Sequence, residues 1–136
     1  MAYGIRTTLT QPFDDAVTAV RAALGEQGFG ILTEIDLAAT LKTKLDVDVA
    51  PQMILGACNP PLAHQALQAE ESVGLLLPCN VVVRALDAST TMVEAVDPQT
   101  MVSMTDNAAL QGVADDATQR LTAALNSLAT RSPGDM

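Results

Sequence analysis

Aromatic side chains are almost missing from this chain. Tyr3, Phe13 and Phe29 are the whole inventory among 136 residues, although 49% of the residues are apolar. The interior must therefore be assembled from Val, Leu, Ile, Ala and Met. The length is that of one ordinary domain, read here as residues 1–130. A chain of this size buries about 68–70% of its extended surface on folding, so it needs neither metal nor disulfide staples. Seven basic residues stand against sixteen acidic ones, a formal charge of −9. That charge, with so few rings to stack on bases, argues against a nucleic-acid partner. It also disfavours docking on anionic lipid, and no apolar run approaches the ~20 residues of a membrane span. The opening residues Met1–Arg6 lack the apolar core of a signal peptide. A cytoplasmic location is expected, with the two cysteines, Cys58 and Cys79, reduced at rest. Two thiols cannot complete a four-thiolate zinc or iron–sulfur site within one chain.

The punctuation of the sequence predicts an α+β domain. Tyr3 to Thr10 alternates and reads as a strand. Pro12 opens a helix whose stripe is Phe13, Val17, Val20 and Leu24, and Gly28 ends it. Phe29, Ile31, Thr33 and Ile35 share one face of a half-buried strand. Asp36 caps a short helix carrying Leu37, Leu41 and Leu45. Met53 to Cys58 is a strand, and Asn59-Pro60-Pro61 starts a second short helix that runs to about Glu70. Leu75 to Val83 is a continuous apolar run. Pro78 inside it predicts an edge or a bulge, since Pro cannot donate to a ladder. Asp87 to Thr90 is a hairpin turn, and Thr91 to Val96 pairs back. Asp97-Pro98 breaks that strand, Met101 to Met104 forms a connection, and the last helix runs from about Asp106 to Leu128. Its seam is Leu110, Ala114, Ala117, Leu121, Ala124 and Leu128. About five antiparallel strands with the first and last helices on one face, plus two short inserted helices, is the layout this order predicts. Residues 131–136 read as a disordered tail.

Several patterns invite chemistry and carry little. Gly25-x-x-Gly28-x-Gly30 runs from a helix into a strand, the reverse of a phosphate-binding loop. Glu70-Glu71 sits at a helix end and reads as a solvated turn. More informative is Ile54-Leu55-Gly56-Ala57-Cys58-Asn59-Pro60-Pro61. It places Cys58 where a strand gives way to a helix N-terminus, and there free N–H groups and the helix dipole favour a thiolate. Cys79 lies among Leu75, Leu76, Leu77, Val81, Val82 and Val83, an apolar setting that keeps a thiol protonated. On this reading Cys58 alkylates before Cys79. Both cysteines precede an Asn, so Cys58, Asn59, Cys79 and Asn80 are the candidate ligand-binding residues. A soft-metal set adds His64, Met101 and Met104 to the two thiols, a donor combination that favours Cu(I). The bland alternatives are two small buried residues, a surface histidine and gap-filling methionines.

At these residues the chain resembles a known family. Gly28-Phe29-Gly30-Ile31-Leu32-Thr33-Glu34-Ile35, Gly56-Ala57-Cys58-Asn59-Pro60 and Leu76-Leu77-Pro78-Cys79-Asn80-Val81-Val82-Val83 resemble the family catalogued as domain of unknown function 302. Asp97-Pro98 with Met101 and the closing helix fit as well. The resemblance implies a β-α-β-β-β-β-α layout of the TATA-binding-protein-like type, usually dimeric. It marks Cys58 and Cys79 as matching positions and transfers no catalytic residue. At the position of His64 the family often carries Tyr or another residue, which lowers His64 as a general ligand. The layout does not imply DNA binding, because a TATA-type saddle needs a basic concave face.

Three functions compete at this point. The first is a non-catalytic homodimeric binder of a small molecule, cofactor or soft metal near the two Cys-Asn segments. The second is a thiol enzyme or sulfur carrier with Cys58 as nucleophile. The third is an interaction or scaffold dimer whose cysteines are structural.

Overall fold

The computed structural model describes residues 3–129. The predicted tail, 131–136, lies outside the described residues. The elements follow in the order β1 (Gly4–Leu9), α1 (Phe13–Glu26), β2 (Gly30–Asp36), α2 (Leu37–Leu45), β3 (Gln52–Cys58), α3 (Pro60–Ala69), β4 (Cys79–Ala85), β5 (Thr91–Val96), α4 (Gln99–Thr105) and α5 (Gln111–Ala129), and five of them are strands. The strands form one sheet in the spatial order β1-β5-β4-β3-β2. Every neighbouring pair is antiparallel. This is the α+β class and the β-α-β-β-β-β-α order that the punctuation predicts, with three inserted helices rather than two.

One face of the sheet supplies Leu55, Ala57, Val81, Val83, Val93 and Ala95 to the main core. Helices α1 and α5 cover it with Ala16, Val20, Ala23, Leu24, Leu121, Ala124, Leu125 and Leu128. The predicted stripe of α1 needs correcting. Its buried positions are Ala16, Ala19, Val20, Ala23 and Leu24, while Phe13 and Val17 only flank the core. Small side chains let the helix lie close to the sheet, and dense packing then fills the space a ring would otherwise take. The seam predicted for α5 is buried throughout, joined by Val113 and Leu125.

Three strand-level expectations also change. Phe29, Ile31, Thr33 and Ile35 do not share a face. The register slips between Ile31 and Thr33, so Ile31 pairs with Ala57 while Thr33 pairs with Gly56. Ile31 therefore stays on the helix side, and Thr33 and Ile35 turn to the other face. The run Leu75–Val83 is not one strand. Glu71–Leu76 coils into a 3₁₀ turn and β4 begins only at Cys79. β4 is no edge strand, since it lies between β3 and β5. Pro78, joined to Leu77 by a cis peptide bond, precedes the ladder, whose first pair is Ala57 with Cys79. Its missing N–H costs no strand bond there.

The segment Met101–Met104 is helical. Asp97 accepts a hydrogen bond at 2.9 Å from the Gln99 N–H, and Pro98 leads into α4, where Pro suits the first turn. Asp106 then adopts a left-handed conformation with φ 52°, and Asn107 caps a 3₁₀ turn over Ala108–Leu110. α5 starts later than predicted for that reason. The remaining helices bury a second cluster made of Leu62, Ala66, Val73, Met101, Leu110, Val113, Ala114 and Ala117.

Leu121→Ala, at a site with no exposure, is expected to lower unfolding free energy by about 2–5 kcal/mol in urea denaturation. Leu75→Ala, at a position 87% exposed, should change it by no more than about 0.5 kcal/mol. Equal effects would overturn the assignment of α5 as the core helix.

Candidate functional site

The site begins at the corner where β3 becomes α3. Asn59 ends the strand, and its Oδ1 accepts a hydrogen bond at 3.3 Å from the Leu62 N–H. Pro60 follows in the first helical position, where its lack of an N–H is harmless. Asn59 is buried because three elements close around it. Gly28, with φ +85°, leaves α1 in the left-handed region, and a Cβ there would stand 3.0 Å from Asn59 Nδ2. Glycine is needed on both counts. Arg120 of α5 donates to the Gln27 carbonyl at 3.0 Å and to Asp116 at 2.7 Å. That ties α5 to the same corner.

The register sets the cysteines on adjacent strands, and one cavity is lined by both. Cys58 is the last residue of β3 and pairs with Gly30 on β2. Cys79 is the first residue of β4 and pairs with Ala57. The cysteines thus stand on adjacent strands, one residue out of register. Gly56 makes this end of the sheet compact. A Cβ on it would collide with Thr33 Oγ1 and fall 2.8 Å from Pro78 Cγ.

Cys58, Asn59 and Cys79 line one cavity together with Met101 of α4, Leu62 of α3 and Phe29. Its volume is about 30 Å³, close to the share of one water in the liquid. The lining is otherwise aliphatic, and no His, Asp, Glu, Lys or Arg contributes to it. Both cysteines are half-buried free thiols. Burial pushes the Cys79 thiol up from 9.0 to about 11, and the nearby Cys58 adds to the rise by charge repulsion. At neutral pH Cys79 is a neutral thiol, as its apolar flanks predict.

Other predicted site residues are not brought to the cavity. Asn80 pairs with Gly56, so it faces the opposite side of the sheet from Cys79 and is exposed. His64 is exposed on α3. Met104 is 70% exposed, whereas Met101 is buried. Of the soft-metal set, Cys58, Cys79 and Met101 converge, and His64 and Met104 stay outside. Among the described residues no three His, Cys, Asp or Glu side chains come together as a metal site. Glu70 accepts a hydrogen bond at 3.0 Å from Asn107 Nδ2, so it braces the loop after α3 while Glu71 is exposed. The walls that sequence reading missed are Leu62, Ala66 and Ala117. Their spacing on α3 and α5 marks them as buried, but nothing in it marks them as facing a thiol.

The raised Cys79 pKa fixes a pH dependence. The folded state holds its proton up to about pH 11, whereas the unfolded chain releases it near 9. The unfolded state then binds fewer protons between these values, so stability is full below pH 9 and falls as pH rises to 11. The expected loss attributable to Cys79 between pH 8.5 and 10.5 is about 1.5–2 kcal/mol. Urea denaturation at pH 8.5 and 10.5, with Cys79→Ser as the reference, measures it; a variant that loses as much stability as the parent would refute it.

Comparison with known proteins agrees with this fold. A crystal structure of an uncharacterized conserved DUF302 protein from Bacillus stearothermophilus superposes with a TM-score of 0.85 at 28% identity, covering 94% of this chain and 99% of that one. No functionally curated protein matches the sequence. The family described as domain of unknown function DUF302 matches residues 5–128, the span that carries the sheet except Gly4, both cores and the thiol cavity, and the chain belongs to that family.

Proposed function

We propose that this chain is a homodimeric, non-catalytic binding domain whose ligand is a soft metal ion, held by Cys58, Cys79 and Met101. The observation that carries the proposal is the convergence of two thiols and a thioether on one atom-sized apolar cavity. Sulfur donors of this kind select Cu(I) over harder ions. Zinc takes four ligands in structural sites and three plus water in catalytic ones, and no His, Asp or Glu that would complete such a set is in the lining. A bis-thiolate Cu(I) unit carries one net negative charge. The N-terminus of α3, beside Cys58, offers the dipole end that favours it.

Size and chemistry weigh against the other readings. Pockets for small organic ligands span about 300–1,000 Å³, roughly ten times the volume here. A thiol enzyme needs a base within reach of its nucleophile, and the cavity lining supplies none. Binding must displace the proton that Cys79 holds, so affinity is expected to rise with pH.

Anaerobic titration of the reduced, tag-free protein against a chromogenic Cu(I) chelator tests the proposal. One Cu(I) per chain is expected, with sulfur-only ligation by X-ray absorption. Cys58→Ser and Cys79→Ser should each weaken binding by at least about a hundredfold, and Met101→Leu by about tenfold, in the range that ligand-environment changes produce. Failure to compete with the chelator, or equal affinity in Cys79→Ser, would overturn it.

The dimer rests on a different observation. No residue of α2 is buried, and β2 is an edge of the sheet. Leu32 and Leu45 are 66% and 65% exposed, and Ile35, Val47 and Val49 are exposed beside them in the sequence. A nine-residue helix gains little stability alone in water, and exposed apolar groups of this kind mark interaction surfaces. A second copy covering this β2–α2 arm accounts for both and caps the open strand edge. Light scattering is expected to give the mass of two chains at micromolar concentration. Leu32→Lys with Leu45→Glu should give one chain while leaving Cu(I) stoichiometry intact. A single-chain mass for the parent protein rules the dimer out.

A further inference from the structure

We infer that Cys58 and Cys79 form a closable dithiol, which a low-molecular-weight disulfide oxidises to an intramolecular Cys58–Cys79 bond. The inference does not rest on metal binding, although closure would consume both thiol donors of the proposed metal site. It rests on the Cα spacing that register sets and on the cavity both cysteines line. Opposed Cα atoms in an antiparallel ladder stand about 4.5–5.5 Å apart, and one step along a strand adds about 3.4 Å. Cys79 opposes Ala57, so its Cα and that of Cys58 stand roughly 6 Å apart by this geometry. Disulfides bridge Cα separations of about 4.4–6.8 Å. Within a regular ladder, neighbours one step out of register point to opposite faces. Here each cysteine is the terminal residue of its strand, and both line the same cavity.

The cavity also selects the product. The thiolate of one cysteine attacks a sulfur of the small disulfide RSSR, which forms protein–S–S–R and releases RS⁻. The second cysteine then gives its proton to solvent and attacks the protein sulfur of that mixed disulfide, and a second RS⁻ leaves. Each RS⁻ takes up one of the released protons. In sum, two protein thiols lose two electrons and two protons, and RSSR becomes two RSH. A space of about 30 Å³ cannot enclose a glutathionyl group. A mixed disulfide is therefore held at the cavity mouth, next to a second half-buried thiol, and the intramolecular bond is the product that fits.

The test uses the reduced, metal-free full chain with glutathione disulfide, without denaturant. The expected result is the simultaneous disappearance of both free thiols and an intact mass lower by two hydrogens. A non-reduced peptide map should join the Cys58 and Cys79 peptides. Cys58→Ser and Cys79→Ser should each keep one glutathione instead. A lasting glutathione adduct on the parent protein, a disulfide between chains, unreacted thiols, or closure only in urea would overturn the inference. Cu(I) titration of the reduced protein separates the two ideas. Closure without Cu(I) binding sinks the metal reading alone, and Cu(I) binding without closure sinks this one alone.

Discussion

The aliphatic seam of α5 is the interaction on which the rest of the structure depends. Leu121, Ala124, Leu125 and Leu128 close the main core over the sheet, while Val113, Ala114 and Ala117 belong to the second cluster with α3 and α4. Among the described residues α5 alone of the helices is buried in both clusters. Each is built from small aliphatic side chains, so each depends on dense contact rather than on a few large rings. The cavity lies where the two clusters meet. Ala57 and Phe29 come from the first, and Leu62, Met101 and Ala117 from the second. Packing within a cluster is continuous, and the gap falls at the seam between them. The polar tie from Arg120 to the Gln27 carbonyl fixes α5 beside that gap and holds its dimensions.

How much of this was legible in the sequence depends on whether a signal is local. The α5 seam, the Gly28 stop and the Asn59-Pro60 start each rest on requirements of a few neighbouring residues, and each appears where the sequence places it. β2 misleads because alternation assumes an unbroken ladder, and the register slip between Ile31 and Thr33 breaks it at a point where the glycine, Gly56, lies on the partner strand. β4 misleads for a different reason. The rule against proline in interior strands concerns an N–H that the ladder requires. One residue before the first paired position the requirement vanishes, so Pro78 can introduce an interior strand. The alanines of α1 were passed over because hydrophobic periodicity is weighted toward large side chains, whereas close helix–sheet contact selects small ones.

The candidate site was legible in its parts and not in its assembly. Cys58 and Asn59 stand out from the strand–helix junction, and Cys79 from its apolar flanks. Their meeting depends on where β4 begins. A strand starting at Leu75 would pair other residues with Ala57, and only a start at Cys79 puts the two thiols one step apart. The same parity removes Asn80, since adjacent strand residues face opposite sides. Helical phase removes His64, which lies between the buried Leu62 and Ala66 and points away from them. Methionine spacing alone could not separate Met101 from Met104. The helix that buries one and exposes the other was not predicted.

The electrostatics of the cavity limit what the dithiol can do. Its walls disfavour a thiolate at Cys79, and a second thiolate at Cys58 adds repulsion. Both protons cannot leave unless the resulting charge is cancelled or never forms. A monovalent soft cation cancels one of two charges and shares the other over two sulfurs, beside the positive end of α3. A disulfide removes both protons and leaves no charge. Thiol–disulfide exchange needs a thiolate only transiently, so it proceeds without a resident base in the lining. The burial that keeps Cys79 protonated is thus compatible with both proposals, a sulfur-bound cation and a sulfur–sulfur bond. Each draws on the same two thiols, so occupancy by one excludes the other.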